Sequence, residues 1–196
     1  MPIPGNPWPH EMAIHLDESP GNLVELLYIH ESWHLVDDLG IPALDPIPEP
    51  GTSAAPTSET IIEWSRRWGR LWFGALEWYS GSLEDVYGLN FSLRDRLRTR
   101  RPPFWSSEYG RDGIDEAAFT AWQRQLEPEM DAALEMQPER LSLTALVGAW
   151  ESGLHTVVTL PYAGYYARRI SPTHMLVSTS TRSNPETYAR ALATRD

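Results

Sequence analysis

The chain has no cysteine among its 196 residues. Disulfides, thiolate zinc centres, iron–sulfur clusters and a cysteine nucleophile are excluded together, so any metal would have to be held by His, Asp or Glu. Lysine is missing too: all 16 basic residues are Arg. That excludes a G-x-x-x-x-G-K-[ST] phosphate loop and points to GC-rich coding, hence to a bacterial or phage source. Basic charge is in deficit, with 16 Arg against 27 Asp and Glu and a net charge of −11. Such a field repels a phosphate backbone, and no nucleic-acid partner is expected. No apolar run approaches the ~18 residues of a membrane helix, and the start MPIPGNPWPH lacks the basic and apolar regions of a secretory signal. The expected setting is the cytoplasm, with no membrane partner. No G-x-S-x-G elbow and no internal repeat is present.

Aromatic and apolar residues are abundant by contrast. An apolar fraction of 41%, with 9 Trp and 8 Tyr, is that of a folded chain with an aromatic-rich core. The length suits one domain over residues 1–196. Residues 1–20 carry five prolines and read as an extended arm with a short strand at 12–17. A helix is expected from Leu23 to Leu39, with Asn22 as its cap and Gly40 and Pro42 as its stop. Residues 41–57 form a Pro-rich loop, after which Ser58 should cap a second helix to about Tyr79. That helix bears an apolar stripe of Ile61, Trp64, Trp68, Leu71, Trp72, Ala75 and Trp78. Helices are further predicted near 82, over 114–126, 129–136 and 138–153, and from Asn184 through Ala193. Between the last two, residues 154–182 have the β-branched and aromatic content of antiparallel strands. The expected fold is α+β, mainly α: a helical core, its first two helices an antiparallel pair, with a small C-terminal antiparallel sheet.

One stretch has the spacing of a known chemistry. His30, Glu31, Ser32, Trp33 and His34 spell H-E-x-x-H. On a helix, positions four apart share a face, so two imidazoles could reach one metal while the glutamate handles a proton. With its apolar surroundings, LLYIHESWHLV resembles the active-site helix of the zincin metallopeptidases. The resemblance implies Zn2+ on His30 and His34, and Glu31 as the general base for a zinc-bound water attacking an amide carbonyl. It also implies a third protein ligand. The extended form HExxHxxGxxH is not met, because Asp37 stands at the glycine position and Gly40 at the third histidine. Glu63 and Glu77 lie beside Arg66, Arg67 and Arg70, where ion pairing accounts for them. Asp37, Asp38, Glu84 and His155 remain as candidates, and His10 or His15 could serve if the arm folds back. Zincins also build a sheet before this helix, for which twenty residues leave little room.

The alternative is that His30, Glu31, His34, Asp37 and Asp38 form the wet face of an ordinary helix. The chain is then a non-catalytic structural or protein-interaction component of an assembly, with part of the Trp-rich stripe seating a protein partner. Two weaker signals complete the inventory. Arg94 to Arg101 is a dense basic cluster, most simply explained by ion pairing with carboxylates. Ser178-Thr179-Ser180 is similar to the central element of ADP-ribosyltransferases, but Glu186 is the one glutamate after it, and the Glu-x-Glu pair is missing.

Overall fold

A computed structural model describes residues 8–36, 38–80, 101–127 and 137–194. The chain is organised as two compact units, Ser19–Glu127 and the combination of Met1–Glu18 with Pro128–Asp196.

The larger helices lie in the first of these. Helix α1 spans Gly21–Ser32 and α2 spans Ile61–Ser80. Their order of contact is reversed along the chain. Tyr79 Oη donates to Asn22 Oδ1 at 3.3 Å, Trp68 Nε1 to the Leu26 carbonyl at 2.7 Å, and the Val36 amide to Ser65 Oγ at 3.0 Å. The pair is therefore antiparallel, as expected. Helix α1 starts one residue before Asn22, whose side chain is buried, and α2 is capped by Thr60 and not Ser58. Thr60 Oγ1 accepts the Glu63 amide at 3.2 Å, a T-x-x-E start in which the threonine satisfies an otherwise orphaned donor. Two shorter helices follow, α3 over Trp105–Tyr109 and α4 over Glu116–Gln125.

Tryptophan fastens this unit. Trp64, Trp68, Trp72, Trp105 and Trp122 are all buried. A buried indole N–H must find an acceptor, and those of Trp33, Trp64, Trp68 and Trp122 each find a main-chain carbonyl in another segment. Trp64 bonds Pro56 at 2.9 Å, Trp122 bonds Pro46 at 2.8 Å and Trp33 bonds Gly113 at 2.9 Å. The Pro-rich loop 41–57 is thus held down by indoles, because prolines leave carbonyls without competing amide donors. Ser53 adds a third tie, with Tyr28 Oη at 2.9 Å and the Asp115 amide donating to its Oγ at 2.9 Å. Asp115 caps α4 and also accepts from the Thr52 amide and hydroxyl, which draw its carboxyl down to about 2. Gly113, at φ 78°, has room for no side chain: a Cβ there would meet the Ala54 carbonyl at 2.3 Å.

The second unit is a sheet with helices packed on one face. Strands β1 (His15–Asp17), β2 (Thr156–Leu160), β3 (Ala167–Ser171) and β4 (His174–Ser178) lie in the order β1-β2-β4-β3. The pairs β1–β2 and β2–β4 are parallel, and β3–β4 is antiparallel. The sheet is therefore mixed, which corrects the antiparallel expectation, and its first strand comes from the N-terminal arm. The physical reason is reach. Residues 161–166 need to cross about two strand spacings of ~4.8 Å, well within an extended chain, so β3 lands two positions away and the tight turn at Pro172 returns β4 into the gap. Helices α5 (Pro138–Leu141), α6 (Leu143–Glu151), α7 (Thr179–Ser183) and α8 (Pro185–Leu192) complete the unit. Leu146, Ala149, Tyr188, Ala191 and Leu192 of α6 and α8 pack on Val157, Met175 and Val177, with Trp8, Met12, Ile14 and Leu16 of the arm at the margin. The helix expected over 138–153 is broken at Ser142, and the closing helix begins at Pro185 with Asn184 as its cap. The helices expected near 82 and over 129–136 lie outside the described residues.

Candidate functional site

The helix that carries the H-E-x-x-H stretch stops inside it. Helix α1 ends at Ser32, not Leu39, and His34 has a left-handed φ of 49°. The Leu35 amide donates to the His30 carbonyl at 3.0 Å and the His34 amide to the Glu31 carbonyl at 3.2 Å. These two bonds are the Schellman arrangement, which satisfies the last helical carbonyls and normally places glycine where His34 stands. Burial explains why the turn forms there. Trp33 goes inward, its ring edge-on to Trp64 at 5.6 Å and to Trp105 at 5.4 Å, and Leu35 follows it into the core. A helix continuing to Leu39 could not turn both residues inward at that point.

The expected ionisable stripe is divided accordingly. His30, on the last turn of α1, is half-buried with its ring 4.7 Å from that of Trp68. Glu31 is half-buried, while His34 and Asp38 are exposed. Asp37 and Glu84 lie outside the described residues. His155 is exposed and belongs to the unit of the sheet, as do His10 and His15. Among the described residues no group of three His, Asp or Glu side chains is placed to hold a metal ion. Glu63 is engaged by Arg66 at 2.7 Å and by Arg67 at 3.0 Å, as its position on α2 suggested.

The remaining signals are also placed. Residues 94–100 of the arginine cluster lie outside the described residues. The hydroxyls of Ser178 and Ser180 each donate to the Gly164 carbonyl at 2.6 Å, and Ser178 Oγ accepts the Thr181 amide at 3.1 Å, so the S-T-S element ends β4 and caps α7. The Trp stripe of α2 is core: Trp64, Trp68 and Trp72 are buried and Trp78 is half-buried. What this region exposes is aliphatic and benzylic. Ile62 is 76% exposed, Val36 72% and Phe73 55%. Val36 is tethered to Ser65, one turn from Ile61 and Ile62, so these three apolar side chains share one part of the surface.

His155 instead neighbours two other histidines. His15 opens β1 and His174 opens β4, both in register with Thr156, and the His15 amide donates to the His155 carbonyl at 2.8 Å. Burial holds the His174 imidazole below its ordinary value, and the charges of His155 and His15 push it the same way. A histidine whose folded value is depressed favours the neutral form in the native state. Its stabilising contribution is complete above the ordinary histidine value and is lost as pH falls through the lower, folded one. Thermal unfolding followed from neutral to mildly acidic pH should show a falling melting temperature, and the fall should be shallower in His174→Gln.

Sequence reading passed over one ionisable residue of α1. Glu25 is 5% exposed in a helix buried on nearly every side from Asn22 to Ile29. Its signal was a single acid inside the apolar run L-V-E-L-L.

No family model, curated protein or solved structure matches this chain.

Proposed function

We propose that this protein is a non-catalytic interaction component of a larger assembly, and that HESWH serves as the stop of α1. The observation that carries this reading is the left-handed His34 with its two Schellman bonds, which gives the motif a structural task. The exposed apolar surface at Val36, Ile61 and Ile62 supports it, since grouped aliphatic side chains in contact with water are a mark of protein contact. No helix among the described residues is long and apolar enough to cross a membrane.

The second reading is a zinc-dependent hydrolase. It is favoured by the accessibility of His30, Glu31 and His34, none of which is fully buried, with Asp37, Asp38 or Glu84 as the third ligand. One preparation separates the two. For the interaction component, protein purified without a histidine tag contains no stoichiometric zinc by plasma mass spectrometry. His34→Gly then stabilises the chain by ~1 kcal/mol, because glycine carries no Cβ penalty in the left-handed region. Near-stoichiometric zinc, lost in the His30→Ala, His34→Ala double variant, together with peptidase activity abolished by Glu31→Gln, would overturn the structural reading.

A further inference from the structure

Within the unit Ser19–Glu127, a cavity of about 250 Å³ opens between α1, α3 and α4. Glu25 lines it from α1 and is 5% exposed. Among the described residues its one hydrogen bond comes from the Ser106 amide, at a long 3.4 Å. An ionised carboxylate has about four acceptor positions, and burying it with so few of them satisfied is unfavourable unless a counter-charge arrives. Phe104 and Phe119 form apolar walls, Phe104 standing over the first residue of α1 and Phe119 packed against Tyr28 at 4.9 Å. Arg111 and Glu116 stand at the exposed mouth and are bound to each other at 2.5 Å. Arg111 is thereby occupied by Glu116, and the charge of Glu25 acts on it through space without a hydrogen bond between them.

The lining holds two carboxylates and one guanidinium, so it is short of positive charge. From this geometry we infer that the cavity is a binding site for an organic cation, an alkylammonium or alkylguanidinium group that salt-bridges Glu25 between the two phenyl rings. A buried acid in a lining that also holds two phenyl rings suits such a group on both counts, because the acid supplies the counter-charge and the rings offer the hydrocarbon stem an apolar surface. A divalent metal fits poorly: Ca2+ takes six or more oxygens and Mg2+ keeps a rigid octahedron, whereas a single buried carboxylate reaches this space. The cation can be a small diffusible amine or the arginine side chain of a peptide. This site shares no residue with HESWH and stands whether or not that stretch binds zinc.

Isothermal titration of the full chain with agmatine, with N-acetyl-arginine amide and with uncharged N-butylurea tests the inference. Saturable binding of one or both cations, with no binding of the neutral compound, is expected. Agmatine binding without the arginine amide identifies a diffusible amine, and binding of both admits a peptide side chain. Glu25→Gln keeps the shape and removes the charge, and should weaken binding about tenfold or more. Thr120→Trp, an exposed change at the cavity wall, should block entry while leaving the thermal melt unchanged, so a folding defect in the first variant cannot pass for lost binding. Arg111→Gln removes the competing cation and should preserve or tighten affinity. Binding equal in Glu25→Gln and the parent, or no saturable binding of either cation in the millimolar range, overturns the assignment.

Discussion

Replacing Trp68 by alanine is expected to destabilise the unit Ser19–Glu127 by about 3–5 kcal/mol, the range for deleting a large aromatic from a packed core. Three features place it at the upper end. The side chain is fully buried, so truncation leaves a cavity with no access to water. Its ring stacks on Trp72 at 5.3 Å with a 10° interplanar angle and lies against His30 at 4.7 Å, so both neighbours lose a face. Its Nε1 donates to the Leu26 carbonyl at 2.7 Å, a buried bond that ties α2 to the middle of α1. Trp68→Phe separates the contributions: most of the volume stays, the donor goes, and the loss should fall to about 1–3 kcal/mol. Urea unfolding monitored by far-UV circular dichroism measures both. A Trp68→Ala midpoint equal to that of the parent would mean that the aromatic stripe of α2 is not the core of this unit. Against a total of ~5–15 kcal/mol for a typical domain, the alanine change removes a large part of the reserve.

The second large effect is expected at Arg182 in the other unit. Its side chain is 13% exposed and binds Glu139 through Nε at 2.7 Å and Glu18 through Nη1 at 2.5 Å. Glu139 is 9% exposed at its side chain. Burial by itself would lower the Arg182 pKa, but the hydrogen bond and charge of Glu139 and the charge of Glu18 raise it overall. One guanidinium thus ties the arm before α1 to α5 and α7. A buried pair adds modest net stability because desolvation offsets most of the attraction. Removing one member is different, since the other stays buried with its charge uncompensated. Arg182→Met should therefore cost about 3–5 kcal/mol, while Glu139→Gln, which leaves Arg182 with Glu18, should cost less. Thermal unfolding at neutral pH ranks the two variants, and the reverse order would show that Glu18 does not compensate the Arg182 charge once Glu139 is neutral.

The two readings of HESWH differ in what they ask of the backbone. A zinc helix needs His30 and His34 one turn apart on continuous helix, whereas the Schellman turn spends the backbone of His34 on ending it. Sequence spacing alone could not separate these. Whether a helix runs on after Ser32 depends on Trp33 finding the Gly113 carbonyl and the rings of Trp64 and Trp105, partners that lie some thirty to eighty residues away. A helix continuing to Leu39 would carry Val36 and Leu39 on its apolar face, whereas both are exposed once the helix ends at Ser32.

Local chemistry was legible. The Trp stripe of α2, the Asn184 cap followed by Pro185, the short strand in the N-terminal arm and the unstructured Pro-rich loop all follow from residue types within a turn or two of one another. Their causes are local: periodic burial, side-chain caps and missing amide donors. The composition also determined which metal ligands and nucleophiles the chain can offer. Tertiary structure decided the rest. The mixed order of the sheet required β1 to pair with β2 across more than a hundred residues of intervening sequence, and the position of Glu25 above a cavity required Phe104 and Phe119 to close around it. Such contacts join segments whose local patterns are silent about each other, because burial energy depends on which surfaces meet and not on how far apart they lie in the chain.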